Sequence, residues 1–140
     1  GHTDDRHGPP VEGRFTVRHL ADGRFSETQP RHGGITAFDQ GPTAVVESDA
    51  GLTLMLTARR MAPLSLNQLV GNGVDPARFR VLVAKGVHAP AAAYAPVCRH
   101  LIRVATPGAT AADLSGFTYR HRRRPMFPFE PTTPWTPEAV

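Results

Sequence analysis

A single cysteine, Cys98, excludes an internal disulfide and any zinc site built from several thiolates. No apolar run approaches the ~20 residues that a membrane helix requires. The polar start, Gly-His-Thr-Asp-Asp-Arg-His-Gly, has no leader character, and the expected compartment is the cytoplasm. Lysine is almost missing: of the basic side chains fifteen are arginine and only Lys85 is lysine. A GC-rich bacterial coding sequence explains that bias. It also sets Lys85 apart, because a compact ammonium and a planar guanidinium are not interchangeable. The glycine-rich phosphate loop ending in Lys-Ser/Thr is absent, and no serine has a G-x-S-x-G context. Membrane, collagen-like and disulfide-rich classes are therefore excluded.

What is present fits one soluble globular domain. The 140 residues are 40% hydrophobic and 20% charged. A chain of this length can bury roughly 68% of the surface that its unfolded form exposes. The net charge of +4 is basic but modest for a nucleic-acid binder.

Residues 11–18 alternate Val11, Gly13, Phe15 and Val17 with polar partners, the period of a half-buried strand. With the Asp22-Gly23 turn and a return through Arg24–Thr28, this predicts a β-hairpin over roughly 12–28. A short strand is expected over 35–38. A second hairpin is expected from strands 43–47 and 52–57 around Asp49-Ala50-Gly51. Ser65 is placed to cap a short helix that Gly71-Asn72-Gly73 ends. Phe79, Val81 and Val83 alternate in a strand over 78–84, and another is expected over 101–105. An alanine-rich helix over 91–99, interrupted by Pro96, lies between them. Strand, helix and strand read as a β-α-β crossover near 78–105. The expected fold class is α/β, with α+β as its near variant: a mixed sheet with N-terminal β-hairpins. Residues 1–130 would form the domain. Residues 131–140 would form a Pro-rich tail, extended or disordered, and the chain beyond Thr118 shows no packing pattern.

Three clusters can carry chemistry. His2, Asp4, Asp5 and His7 combine imidazole and carboxylate, which can bind a divalent ion, although a solvated end loop is the simpler reading. Lys85-Gly86-Val87-His88 sits between a predicted strand and a predicted helix, where open α/β sheets hold ligands. An ammonium, an imidazole and a helix N-terminus there could take a carboxylate or phosphate. Arg120-His121-Arg122-Arg123-Arg124, flanked by Tyr119 and Phe127, is either a nucleic-acid patch or a solvated salt-bridging edge. Cys98, in an alanine-rich segment, reads as a buried inert thiol. No acid/base pair announces itself.

An ordered series of segments resembles the C-terminal domain of the MlrC (microcystinase C) family, the M81 metallopeptidases. It runs from Gly8-Pro9-Pro10 and Asp22-Gly23-Arg24-Phe25 through Gly41-Pro42-Thr43-Ala44-Val45-Val46 and Gly73-Val74-Asp75-Pro76. It continues with Lys85-Gly86-Val87-His88 and Thr106-Pro107-Gly108, and closes with Arg124-Pro125-Met126-Phe127-Pro128. The family places serine after the lysine and Phe-Arg after the histidine. Here Gly86 and Ala89-Pro90 stand instead. The resemblance implies a non-catalytic fragment of a zinc metallopeptidase, a hydrolase of peptide or amide bonds. It would contribute to the substrate cleft or to a domain or oligomer interface. Lys85, His88 and Arg124 would be its substrate or interdomain contacts. No catalytic residue, metal ligand or cofactor is expected in this chain. Zinc would sit in the parent's N-terminal metal-binding domain, which would be the main partner. A homo-oligomer is a further possibility, and no membrane partner is expected. The alternatives are a stand-alone module for a small anion and, as the weaker one, a basic nucleic-acid-associated domain.

Overall fold

The computed structural model of the chain describes residues 9–29, 33–86, 88–106 and 113–134. The His2–His7 cluster, Val87 and the tail beyond Pro134 lie outside them. The strands are β1 (Phe15–Ala21), β2 (Arg24–Ser26), β3 (Ala37–Asp39), β4 (Thr43–Ser48) and β5 (Thr53–Thr57). Two short helices follow, α1 (Asn67–Val70) and α2 (Ala89–Tyr94), with single 3-10 turns at Pro76–Arg78 and Leu114–Gly116. Strands and helices coexist, as the patterning implied, but helix is scarce.

The main sheet has the order β1-β4-β5, and a second sheet pairs β2 with β3. Every one of these pairings is antiparallel. β4 is central because its apolar residues gain cover from both neighbours: Val17, Val46 and Leu54 align in one row, and His19, Val45 and Met55 in another. Val45 and Val46 are buried. The register slips between Val17 and His19, leaving Arg18 without a ladder partner. Such a bulge re-aims a side chain. Here the Arg18 guanidinium donates to Glu47 at 2.8 Å.

The β4–β5 hairpin forms where the turn residues place it. Gly51, at φ +81°, donates to the Ser48 carbonyl at 2.9 Å, a conformation that suits glycine. The expected hairpin over 12–28 does not form: β1 and β2 belong to different sheets. β2 has three residues to offer a seven-residue β1, whereas β4 has six with a buried apolar pair. The Asp22-Gly23 turn therefore carries the chain from one sheet to the other. Asp22 accepts the Arg24 N–H at 2.9 Å, and the Gly23 carbonyl accepts the Gln40 N–H at 3.1 Å.

The N-cap of α1 is Leu66 rather than Ser65, but the Ser65 hydroxyl, one residue earlier, accepts the Asn67 N–H at 2.9 Å. The helix closes at Gly73, φ +76°, with the Val74 N–H returning to the Leu69 carbonyl at 3.0 Å. α2 is shorter than the 91–99 helix the composition suggests. Pro90 fits its first turn, and it stops at Tyr94, two residues before Pro96, whose ring clashes with a continuing helix.

The β-α-β crossover near 78–105 is corrected by the structure. No strand forms over 78–84 or 101–105, and no parallel pair exists among the described residues. Alternation fixes which side chains share a face, but a strand also needs a ladder partner. Neither segment finds one among the described residues. The expectation for the chain beyond Thr118 is corrected as well, because 117–133 packs on itself, as described next. Among the described residues no helix is long and apolar enough to cross a membrane.

Candidate functional site

The centre of the fold is polar. Gln40 is fully buried, Asn72 is 1% exposed, and Thr43, Ser65 and Gln68 are buried with them. Gln68 Nε2 donates to Gln40 Oε1 at 2.9 Å, and Gln40 Nε2 donates to Thr43 Oγ1 at 3.0 Å. The Thr43 hydroxyl in turn donates to the Gly41 carbonyl at 2.9 Å. Asn72 Nδ2 donates to the Gln68 carbonyl at 2.7 Å. This relay joins α1 to the β3–β4 turn. A second tie runs from Ser65, which donates to Glu27 at 2.5 Å, and from Asn67, which donates to the Ser26 carbonyl at 2.8 Å. Buried amides that satisfy one another fix a single arrangement of the elements they join. Gly23 is equally constrained: at φ +76°, a Cβ there would run into the Gly41 carbonyl oxygen.

Beside this relay Asp39 accepts the Gly41 N–H at 2.8 Å and pairs with Arg59 at 2.6 Å. The backbone hydrogen bond, then the Arg59 guanidinium, hold its carboxyl below the usual range. Two open clefts flank the core. One, of about 590 Å³, lies between Arg18, Val45, Glu47, Val74, Arg78 and Phe79. The other, of about 230 Å³, includes Glu27, Ser65, Asn67, Ala93 and Pro96.

Lys85 and His88 line neither cleft. Both are exposed; His88 precedes the first turn of α2, and a Cβ added at Gly86 between them would meet Pro63 and Pro90 at 3.2 Å. Among the described residues no hydrogen bond, ion pair or ring contact joins Lys85, His88 and Arg124. Arg124 is exposed, and its charge adds to the field on Glu130. Cys98 is half-buried, four residues past Tyr94, whose phenol is pushed up by burial.

The arginine run contains a clasp that composition alone does not show. Arg122 grips Glu130 through two parallel hydrogen bonds of 2.7 and 2.6 Å. Glu130 also accepts the Met126 N–H at 2.8 Å. The guanidinium lies over the Phe129 ring, 4.7 Å from its centroid, and Tyr119 packs edge-on against the same ring at 4.8 Å. Fork-to-fork pairing of this kind is the strong form of an ion pair. It holds Glu130 down at about 2. Arg120, Arg123 and Arg124 stay exposed, so the run is neither wholly patch nor wholly edge.

The residues that sequence reasoning missed are Gln40, Gln68 and Asn72. Their signal was slight: polar residues beside Gly41-Pro42 and Gly71, where a turn is the first explanation. Chemically the arrangement positions elements. Ser65 donates to the Glu27 carboxylate, and among the described residues no imidazole contacts its hydroxyl as in a serine–histidine pair. Among the described residues no three His, Cys, Asp or Glu side chains converge as metal ligands. The described residues thus do not fit a zinc site.

Strands and helices thus combine in a small α/β fold. The family described as the MlrC C-terminus matches residues 1–121, and the chain belongs to that family. No curated protein and no solved structure matches it.

Proposed function

We propose that the chain acts as the non-catalytic C-terminal domain of an MlrC-type zinc metallopeptidase that hydrolyses peptide or amide bonds. The family match over 1–121 carries this reading. Hydrolysis by metal-activated water then belongs to a separate metal-binding domain. This domain supports that one's cleft or interface, with Lys85, His88 and Arg124 as the contacts. Their exposure supports a role outside the domain's own core.

The test mixes the chain with the N-terminal metal-binding domain of an MlrC-type enzyme. The two should co-elute, and the mixture should cleave a peptide substrate faster than the metal-binding domain alone. The chain by itself should not cleave it. Lys85→Ala should lower kcat/KM of the mixture tenfold or more, equivalent to about 1.4 kcal/mol, with unchanged melting of the chain. No association by the wild-type chain would overturn the proposal.

A further inference from the structure

We propose that residues 80–86 and 99–106 are the docking face of this domain, laddering onto a strand edge of an acidic-rimmed protein surface. That surface is the metal-binding domain of the proposed function, on which this inference rests.

The backbone makes the first argument. Over 80–86 and 99–106 no N–H or carbonyl takes part in a backbone hydrogen bond among the described residues, and no side chain there supplies one. Backbone polar groups are otherwise almost always paired in a finished fold, with protein or with water. A row of donors and acceptors with no such partner among the described residues is a template for strand addition.

The side chains make the second. Leu82 and Ala84 are half-buried, while Val81, Val83 and Lys85, which alternate with them, are exposed. That is strand periodicity with one face already used. The other face is apolar and bare: Val83 is 93% and Val81 74% exposed. Ile102 at 83% and Val104 at 75% continue the same character in the second segment. Large apolar side chains left bare along two such segments point to an interaction site.

Charge selects the partner. From Pro76 to Ala112 there is no aspartate or glutamate, but there are Arg78, Arg80, Lys85, Arg99 and Arg103. A second copy would set this basic surface against itself in a two-fold interface, like charge to like. A bilayer would have to accept unpaired backbone groups, which hydrocarbon does not satisfy. A nucleic acid would use the arginines but leave Val81, Val83, Ile102 and Val104 without partners. A protein surface with an open strand edge, an apolar floor and a carboxylate rim uses all three features.

Hydrogen exchange of the full chain, with and without the N-terminal metal-binding domain of an MlrC-type enzyme, tests this. Amides of 80–86 and 99–106 should exchange freely in the chain alone and slow at least tenfold in the complex. Val83→Asp, Ile102→Asp and Val83→Pro should each weaken association tenfold or more while the isolated chain melts as wild type. The proline variant removes the ladder N–H without adding charge. Raising salt should weaken association further. Wild-type binding with unprotected segments and tight-binding variants overturns the docking face and leaves the proposed function standing. No wild-type binding overturns both. Protection by self-association, or by phosphatidylserine vesicles in place of the protein, overturns the choice of partner.

Discussion

Residues 15–78 and the segments 80–86 and 99–106 both carry apolar side chains, with opposite fates. In the first region, Val45 and Val46 sit between two strands and every element is tied to another. In the second, Val81, Val83, Ile102 and Val104 carry comparable side chains and are bare. The difference is not hydrophobicity. It is whether the same chain supplies a ladder partner and a polar anchor. The β4–β5 hairpin closes locally, and the Gln68–Gln40–Thr43 relay pins α1 to the sheet. Among the described residues nothing equivalent reaches 80–86.

The largest effect should come where the first region tolerates no change. In Gly23→Ala the new Cβ meets the Gly41 carbonyl, and the backbone is held at φ +76°. Left-handed strain and overpacking together should cost about 3 kcal/mol or more. Gly51→Ala has the same sign of φ, at +81°, but open space around the Cβ, and should cost about 1 kcal/mol. Urea melts of both variants separate the two terms. Equal losses would mean that the sheet-to-sheet crossing is not as tight as described.

Next comes the relay. Gln68→Leu removes the donor to Gln40 Oε1 and leaves that buried oxygen unpaired. The cost should be about 1–3 kcal/mol, read as a lowered denaturation midpoint. Replacing Gln40 and Gln68 together by leucine should cost less than the sum of the two single changes, since neither polar partner is then orphaned.

Much of this first region is legible in the sequence. The apolar runs 43–47 and 52–57 about Asp49-Ala50-Gly51 point to one hairpin, and Ser65 with Gly71-Asn72-Gly73 brackets one helix. Partner choice is the part that local pattern cannot hold. Phe15–Ala21 alternates equally well beside β2 or β4, and only the burial of Val45 and Val46 decides between them. The strands expected over 78–84 and 101–105 fail for the same reason: period 2 describes a face, not a neighbour. In the candidate site, Lys85 and His88 stand out by rarity and position. Gln40, Gln68 and Asn72 do not, because a buried amide and a turn amide look alike in sequence. The Arg122–Glu130 clasp needs a partner eight residues away in a Pro-rich stretch, where no periodicity marks the pairing.

The clasp offers a pH test of a contact that lies outside the main sheet. Glu130 is held at about 2, below its ordinary 4.5, first by the Arg122 hydrogen bonds and then by the Met126 N–H. A lowered folded pKa means that the clasp's contribution is complete above about 4.5 and is lost as pH falls toward 2. Limited proteolysis near Phe129 should therefore accelerate between those values under an acid-tolerant protease. Glu130→Gln should show the open pattern already at neutral pH. Indifference to both changes would mean that the Tyr119–Phe129 packing closes 117–133 without the ion pair.

The smallest effect should be the most telling, because it bears on the second region directly. Val83→Ala removes two methyl groups from a side chain that is 93% exposed. Little apolar area leaves the protein interior, and the isolated chain should change by no more than about 0.5 kcal/mol. Val45→Ala makes the same chemical change at a side chain 4% exposed, and about 2 kcal/mol should be lost with the cavity it leaves. The two valines thus calibrate each other: one deletion, two environments. Paired chemical melts read the contrast without any partner present. A loss at Val83 approaching that at Val45 would mean that 80–86 packs within the chain in solution, and the division between a self-sufficient region and a partner-dependent one would fall. A neutral result leaves Val83 as an apolar residue with no intramolecular role, which is the state a docking strand has before it meets its edge.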